Sequence, residues 1–289
     1  MKLSRRKKRE MKLIIESHRS WFYVDWKGLF HYRDLLFLLV RRDFVAKYKQ
    51  TILGPLWFVI QPLLTTLVFT VIFGKISKIP TDKLPPVLFY LCGLLAWNYF
   101  AQCLSSIAAS LTANAHLFSK VYFPRLIIPL SIVISNLIPF AIQCITFLSF
   151  YFYYKIFTSA GDMINPNHFI LLLPFLLLET AAVGLGVGLW IAALTVKYRD
   201  FQHLVSFLVQ LWMYATPVIY PISSIPERWQ FLTVLNPMSG IVESYRYAFF
   251  GTGFVDWRYL SISAGLVFFS LVTGLLVFNK VERTFVDTI

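Results

Sequence analysis

Six long apolar segments dominate this chain and restrict what it can fold into. They cover approximately residues 52–74, 86–109, 126–154, 168–195, 202–220 and 259–279. The first has no Asp, Glu, Lys, Arg or His over the 22 residues from Ile52 to Phe73, and a helix of that length covers about 33 Å, enough for a bilayer core. The segments predict an all-α polytopic membrane protein with six transmembrane helices and both ends on one side.

The composition excludes an ordinary water-soluble domain. Hydrophobic residues make up 57% of the chain and charged residues 14%, whereas a soluble domain carries about 25% charged residues. The net charge is +13, and residues 1–50 hold 14 Lys/Arg against five Asp/Glu. Beside a membrane span, the positive-inside bias and anionic lipid headgroups account for this basic end. We therefore expect membrane lipids, and no nucleic acid, as partners, and residues 1–32 as a basic cytoplasmic tail.

The distribution of basic residues predicts the orientation. Basic residues recur on the side of the N-terminus at Lys120, Arg125, Lys197, Arg199, Lys280 and Arg283, whereas the opposite connections mix positive and negative charges. Because Lys and Arg favour the cytoplasmic side, both termini are predicted to be cytoplasmic.

Residues 33–50, which precede the first span, predict an amphipathic helix in the headgroup layer. Phe37, Val40, Phe44 and Tyr48 recur at helical spacing. The charged residues on other faces are Arg41, Arg42, Asp43, Lys47 and Lys49. Gly54-Pro55 is the predicted corner before the six-span domain, residues 51–289. The alternative is a plain positively charged flank of the first span.

The connection from Pro221 to Asp256 is too long for a turn and too apolar for a solvated loop. Asn236-Pro237 is a helix-start signal and Gly251 a helix-stop signal. We expect two short re-entrant helices on the external side, which requires their broken backbone to be buried against protein or to face an aqueous cavity. The alternative is an amphipathic cap that lies flat outside the membrane.

The sequence contains no motif for binding a nucleotide. The phosphate-loop pattern is absent, since Gly74-Lys75 is followed by Ile76 at the end of a span. The run GLGVGL, 184–189, lies inside an apolar segment, where Gly184 and Gly188 have the spacing of close helix packing. We therefore expect this chain to bind no cofactor of its own.

Catalytic and metal sites are also not indicated. The five histidines are scattered, and no paired carboxylates or HExxH motif occur. A multispan lipid-carrier glycosyltransferase or acyltransferase, the rival class, would need a clustered acidic or His/Asp site. Glu179 is the one charge deep in a predicted span, where a carboxylate costs about 2.5 to 3.5 kcal/mol or is protonated. A transport role and a bond to a neighbouring helix both remain open for Glu179.

Aromatic residues make up 18% of the chain. Interfacial belts explain many of them, but a subset facing a pore could contact the C–H faces of sugars. The candidates for a channel lining are Trp97, Trp212, Tyr214 and Tyr220, together with Glu179. Because the predicted spans contain almost no Lys or Arg, a mostly neutral polysaccharide is favoured over a polyanion such as teichoic acid.

Four ordered motifs, KYKQTILGPLWFVIQPL, KVYFPRLIIPLS, VKYRD and LNPMSGIVESYR, resemble the membrane subunit of ATP-binding-cassette exporters of polysaccharides and polyol phosphates. The resemblance implies a homodimer in the bacterial inner membrane that works with two separate ATPase subunits, which use ATP and Mg²⁺. It implies an undecaprenyl-diphosphate-linked glycan as substrate, with O-antigen favoured and teichoic acid or capsule as alternatives. A related drug or lipid exporter is a further alternative.

The same resemblance assigns roles to residues. Coupling to the ATPase is expected at His116, Leu117, Phe118, Lys120, Lys197, Tyr198, Arg199 and Asp200. The interface helix is expected to act through Arg41, Arg42, Asp43, Lys47 and Tyr48. The external gate is expected to include Trp229, Asn236, Pro237, Glu243, Tyr245 and Arg246.

Overall fold

A computed structural model describes residues 26–49, 51–118, 123–198, 200–253 and 255–285. The predicted tail lies outside the described residues as far as residue 25, as do Lys120 and Arg199 and the side chains of Lys47, Tyr48 and Arg283. The described residues contain no β-strand, so the all-α prediction is confirmed for them. The helices are α1 Trp26–His31, α2 Arg33–Tyr48, α3 Trp57–Phe69, α4 Pro86–Ala108, α5 Ser110–Ala113, α6 Ala115–Phe118, α7 Ile127–Ser135, α8 Leu137–Phe157, α9 Leu173–Lys197, α10 Phe201–Ala215, α11 Glu227–Val234, α12 Pro237–Phe250 and α13 Trp257–Phe285.

Five stretches of the described chain are long and apolar enough to cross a membrane. They are Gly54–Ile76, Pro86–Ala108, Ile127–Phe157, His168–Lys197 and Trp257–Val281. Each agrees within a few residues with a segment predicted from the sequence. Gly54 has a left-handed backbone (φ 47°) and opens a 3-10 turn that leads into α3, so the predicted Gly54-Pro55 corner is confirmed.

The predicted fifth segment, residues 202–220, is only partly helical. Helix α10 has 15 residues and ends at Ala215, with Thr216 in an extended conformation. Pro217 explains this end, because proline disfavours the helical conformation of the residue before it and donates no backbone hydrogen bond. At about 1.5 Å per residue α10 covers roughly 22 Å, so a six-span count stays a prediction.

Helix α4 lies at the centre of the chain. Most of its residues are buried, among them Phe89, Trp97 and Phe100. It packs against α9, α8, α12, α3 and α10. Residues near its first turn contact the α10–α12 region, whereas its last turn contacts the end of α9. Thus α4 connects the two ends of the bundle, which are about 28 Å apart along its axis.

Glycines let α9 pack closely between two helices. A Cβ on Gly184 would lie 3.0 Å from the Cβ of Cys103, and one on Gly188 would lie 2.9 Å from the Cβ of Ile107, both on α4. The predicted close packing through Gly184 and Gly188 is therefore confirmed. Gly186 lies on another face, where its backbone directly contacts Gly274 of α13.

Helix α2, within the predicted interface segment, packs against α7 and buries Leu39. Phe37, which belongs to the predicted apolar stripe, is 64% exposed. Val40 and Phe44 of the same stripe are half-buried, so the stripe is only partly exposed. The position of α2 at a membrane surface stays a prediction.

Two short helices, α11 and α12, follow α10, as predicted for the connection between Pro221 and Asp256. The Asn236 side chain accepts a hydrogen bond from the backbone N–H of Met238 at the start of α12. Gly251 ends the helix in the left-handed conformation (φ 69°). Both helix signals are confirmed. Most of α12 is buried, whereas α11 has no buried residue.

Candidate functional site

Two regions at opposite ends of α4 collect most of the predicted functional residues. We call the first the elbow surface, defined by Arg42, residues 114–118, Lys197, Tyr198 and Asp200. We call α11 and α12 the cap helices. The elbow surface contains the predicted ATPase contacts that the structure describes, and the cap helices contain the predicted gate.

Arg42 joins α2 to the elbow after α4. Its Nε and Nη2 donate to Oδ1 of Asp43 at 2.9 and 2.8 Å, and Nη2 also donates to Oδ1 of Asn114 at 3.2 Å. Asn114 in turn donates to the backbone oxygen of Ser110 at 2.9 Å. The structure therefore brings the predicted interface helix into contact with the first predicted coupling element. Arg41, another predicted interface residue, is exposed.

The second elbow is joined to the first through Thr195. Its hydroxyl donates to the backbone oxygen of Ala108 at 2.9 Å, which joins the end of α9 to the end of α4. Beyond this bond Lys197, Tyr198 and Asp200 are exposed. The Lys197 ammonium lies 5.3 Å from the centre of the Tyr198 ring. The two elbows therefore lie side by side and present both charge and aromatic surface.

The predicted coupling residues of α6 differ in exposure. His116 is exposed, whereas Leu117 and Phe118 are half-buried. The Phe118 ring lies 5.6 Å from that of Phe123 and 5.3 Å from the Arg125 guanidinium carbon. Their contact with an ATPase stays a prediction, as it does for Lys120 and Arg199, which lie outside the described residues.

Asn236 is the polar centre of the start of α12. Its Oδ1 accepts from Trp212 Nε1 at 2.9 Å and from the Met238 backbone at 3.1 Å. Its Nδ2 donates to Thr216 Oγ1 at 2.9 Å and to the Ala215 backbone oxygen at 3.3 Å. The carboxamide has two donor hydrogens and an oxygen with two lone pairs, so these four hydrogen bonds use its full hydrogen-bonding capacity. The end of α10 is thereby bound to the start of α12.

Aromatic contacts extend this link to α4. The centre of the Trp212 ring lies 5.0 Å from that of Phe100, which lies 5.1 Å from that of Trp97. Trp97 is 3% exposed, so in this chain it packs in the core. Tyr214 is 46% exposed, and its backbone oxygen accepts from the Tyr220 hydroxyl at 3.1 Å. Among the predicted channel residues, Tyr214 therefore presents the most surface.

Arg246 is a fully buried cation on the second cap helix. Its Nη2 donates to the Val218 backbone oxygen at 2.7 Å, and its Nη1 lies 3.4 Å from Oε2 of Glu243. Its guanidinium carbon lies 3.7 Å from the centre of the Phe89 ring. A Cβ on Gly93 would lie 2.9 Å from Nη2, so the glycine provides room for the guanidinium. These contacts join α12 to α4 and to the segment after α10.

Two opposing effects act on this cation, which lies outside the five candidate spans. Burial lowers the pKa of the Arg246 guanidinium, and the Glu243 carboxylate raises it. A guanidinium is not deprotonated in proteins, so Arg246 stays charged. Separating the pair would leave an uncompensated charge in the interior.

The remaining predicted gate residues lie on both cap helices. Tyr245 is buried at 2% exposure, whereas Trp229 is 50% exposed. Other large apolar side chains on and beside α11, namely Phe231, Leu232 and Leu235, are between 45% and 59% exposed. The exposed apolar face is therefore confined to α11, and α12 is part of the core.

Glu179 bonds within the chain. Its Oε1 lies 3.2 Å from the hydroxyl oxygen of Ser263 on α13, and that hydroxyl oxygen lies 3.0 Å from the backbone oxygen of Pro237. Glu179 is 6% exposed and Ser263 is 1% exposed. Of the two roles left open by the sequence, the structure shows the bond to a neighbouring helix.

Several partners in these contacts were not assigned a role from the sequence. Ser263 and Val218 are a serine and a backbone carbonyl with no motif around them. Gly274 does lie four residues after Ser270, a small-xxx-small spacing that sequence reasoning could have used. The missed contacts all come from residues that are distant in the chain.

One family model and several known proteins match most of this chain. The model of the ABC-2 type transporter family matches residues 34–250. The chain is 30% identical over 265 residues to the O-antigen export system permease protein RfbA of Myxococcus xanthus, covering 91% of this chain and 98% of that protein. It is 28% identical over 254 residues to the protein of the same name from Klebsiella pneumoniae, with coverages of 88% and 94%. The chain is 22% identical over 252 residues to the polysialic acid transport protein KpsM of Escherichia coli, covering 86% of this chain and 93% of that protein.

Proposed function

The chain belongs to the ABC-2 type transporter family, and we propose that it is the permease subunit of an ATP-driven exporter of a cell-surface polysaccharide. O-antigen is the favoured substrate, because two of the similar proteins are named for its export. Capsule polysaccharide is the alternative, since a relative named for capsule polysaccharide export and one named for polysialic acid transport also match over most of the chain. The glycan would enter from the cytoplasm on an undecaprenyl diphosphate carrier and move outward.

We infer six spans in the bacterial inner membrane, with both termini cytoplasmic. Five stretches have the length of a span, and α10 with the residues up to Tyr220 would form the sixth. An even number places both ends on one side, in agreement with the positive-inside bias of the basic residues. In this arrangement the elbow surface is cytoplasmic and the cap helices are re-entrant on the external side.

The exposed face of α10 is the observation that best supports a channel. Gln202, Ser206, Gln210 and Tyr214 recur every four residues, and all four are exposed. A step of four residues advances about 40° around a helix, so the stripe stays within about a third of the circumference. Polar groups without partners are unfavourable in hydrocarbon. The stripe would therefore face water and substrate.

A second copy of the chain would enclose this stripe. Beside the polar stripe, α10 also exposes Leu204, Phe207, Leu208 and Leu211, and much of the first span, 54–76, is exposed too. These apolar surfaces would face lipid or the second copy, while the amide and hydroxyl groups line the space between the copies. Uncharged hydrogen-bonding groups suit the hydroxyl groups of a neutral sugar polymer, whereas a polyanion would favour basic lining.

Energy would come from two separate ATPase subunits that use ATP and Mg²⁺. They would dock on the elbow surface, where Lys197, Tyr198 and Asp200 are exposed and the two elbows are joined through Thr195 and Ala108. Movement of that surface would reach the cap helices along α10, since Asn236 binds the end of α10.

Deletion of the gene, followed by complementation, tests the proposal. The deletion strain should accumulate lipid-linked glycan in the cytoplasm and lose it from the surface, and the wild-type chain should restore export. A Gln202→Leu/Gln210→Leu variant should restore export poorly, because both amides of the stripe are lost. A matched Leu204→Met/Leu208→Met variant on the apolar sector should restore it fully. Altered drug sensitivity without glycan accumulation would contradict the proposal.

A further inference from the structure

If the Glu179 carboxyl group is ionised, the contacts between Glu179, Ser263 and Pro237 contain too few hydrogens for each to be a hydrogen bond. The Ser263 oxygen has two short contacts, 3.2 Å to Glu179 Oε1 and 3.0 Å to the Pro237 backbone oxygen. Both neighbours are acceptors when the carboxyl group is a carboxylate, and a serine hydroxyl has one hydrogen to donate. One of the two contacts would then bring two oxygens together without a hydrogen between them.

We propose that Glu179 carries its proton in the folded chain and acts as a positioning residue for the start of α12. The protonated Oε1 donates to the Ser263 oxygen, and the Ser263 hydroxyl donates to the Pro237 carbonyl. Every short contact then has one hydrogen. The chain of two bonds joins α9, α13 and the first residue of α12, three elements that meet at this point.

The surroundings favour the neutral carboxyl group. Glu179 and Ser263 are both buried, and the ion pairs formed among the described residues involve other side chains. A carboxylate buried without a cation is unfavourable, and protonation removes the cost. Other ionisable side chains lie on the described elements that pack against α9. They are Tyr90, Cys92, Tyr99 and Cys103 of α4, His203 and Tyr214 of α10, Glu243, Tyr245, Arg246 and Tyr247 of α12, Arg258, Tyr259 and Lys280 of α13, and His168. Of these, Glu243 and Arg246 neutralise each other.

A small cavity lies beside the contact. Ser263 lines a small cavity together with Ser239, Glu243, Asp256 and Tyr259, between the cap helices and the start of α13. The Ser239 hydroxyl oxygen is buried and has no hydrogen-bond partner among the described residues. A polar cavity with such a group suits ordered water. Water in this cavity would exchange protons with Ser263 and, through Ser263, with Glu179.

Loss of the Glu179 proton would remove the hydrogen from one contact and loosen the start of α12. Because α12 begins at the Asn236 site that binds α10, Glu179 would set the position of the helix proposed to gate export. This last step rests on the proposed function, whereas the protonation and the positioning do not. The experiments below use the purified chain and need no transport, so a failure of the inference differs from a failure of the proposed function.

Infrared spectroscopy tests the proton. The difference spectrum between the wild-type chain and Glu179→Gln, recorded at neutral pH, should contain the carbonyl stretch of a protonated carboxylic acid. A difference that contains only carboxylate bands would overturn the proposal. The Gln variant is suitable because its amide donates to Ser263 as the acid does, so the fold is retained.

Hydrogen exchange of the first turns of α12 tests the positioning. Glu179→Ala and Ser263→Ala should each raise exchange there by about five-fold, the factor for one hydrogen bond of about 1 kcal/mol. Glu179→Gln should match the wild type, and so should Ser270→Ala, since Ser270 donates to Val267 on its own helix. Raising the pH should increase exchange beyond its intrinsic rise in the wild type but not in Glu179→Gln. Equal exchange in all variants, or equal pH profiles for wild type and Glu179→Gln, would overturn the proposal.

Discussion

The guanidinium carbon of Arg246 lies 3.7 Å from the centre of the Phe89 ring, and both side chains are almost fully buried. This contact places a cation of the second cap helix against the first turn of the central helix α4. The same cation bonds to Glu243 and to the backbone of Val218. The cap helix is thus attached to the bundle by charge and hydrogen bonds as well as by apolar packing.

Replacement of Arg246 by Met should destabilise the chain strongly. It would leave the Glu243 carboxylate buried without its cation, an effect of roughly 3–5 kcal/mol in other proteins. The double variant Glu243→Met/Arg246→Met should be more stable than Arg246→Met, because it removes both charges. Thermal unfolding of the detergent-solubilised chain measures both. Arg228→Met, on the exposed helix α11, is the control and should unfold as the wild type does. A double variant less stable than the single one would contradict this account.

Asn236 variants should separate its acceptor and donor roles. Asn236→Asp keeps an oxygen for the Met238 and Trp212 donors but loses the donors to Thr216 and Ala215, so its loss of stability should be intermediate. Asn236→Ala should lose more, because loss of a helix cap alone costs about 0.5–2 kcal/mol. The Trp212 environment should change more in Asn236→Ala, which removes the acceptor of the indole N–H, than in Asn236→Asp, which keeps it. Tryptophan fluorescence measures this change, with a Trp212→Phe variant identifying the Trp212 contribution. Equal stability of Asn236→Asp and Asn236→Ala would contradict this prediction, because retaining the acceptor oxygen would then contribute nothing.

Gly186→Ala should disrupt the packing of α9 on α13. A Cβ there would lie 2.7 Å from the backbone nitrogen of Leu271 and 2.8 Å from the carbonyl of Ser270, and the backbone cannot yield as a side chain can. Gly265→Ala is a matched change, since a Cβ at Gly265 meets nothing within 4 Å. It should be neutral or stabilise by up to about 1 kcal/mol through helix propensity. Size-exclusion chromatography after heating measures how much folded chain each variant retains. Similar losses of folded chain in the two variants would be inconsistent with the close contact at Gly186.

Charge reversal on the elbow surface should abolish export without affecting insertion. Of the residues changed in Lys197→Glu/Arg199→Glu/Asp200→Lys, Lys197 and Asp200 are exposed, so the chain should still reach the membrane and unfold at the wild-type temperature. Copurification of the ATPase partner should fall, because the proposed contact depends on these charges. Arg228→Glu at the other end is the control for charge alone. Unchanged ATP-dependent export by the triple variant would remove the coupling assignment.

Local sequence patterns predicted the apolar helices and their ends. The absence of charge from Ile52 to Phe73, the Asn236-Pro237 start and the Gly251 stop depend on nearby residues, and each has its expected structural counterpart. The apolar segment predicted at 202–220 runs past the end of α10 at Ala215, because apolar composition alone does not locate the helix end before Pro217.

Contacts between distant residues could not be predicted in the same way. Arg246 lies in a recognisable motif, but its partners Phe89, Gly93 and Val218 are set by how α12 packs on α4. Glu179 was noticed as an isolated charge, whereas Ser263 resembles any serine in an apolar helix. A hydrogen-bond partner has no signature in a single sequence when the residue is common and the bond forms only on folding.

ATP-dependent transfer of lipid-linked glycan in reconstituted vesicles tests the central claim most directly. Vesicles containing this chain and its ATPase partner, with the elbow surface outward, should move the glycan into their lumen when ATP and Mg²⁺ are supplied. Transfer should stop when the ATPase is omitted or its hydrolysis is blocked. Transfer that continues without the ATPase, or chemical conversion of the glycan by this chain alone, would contradict the account.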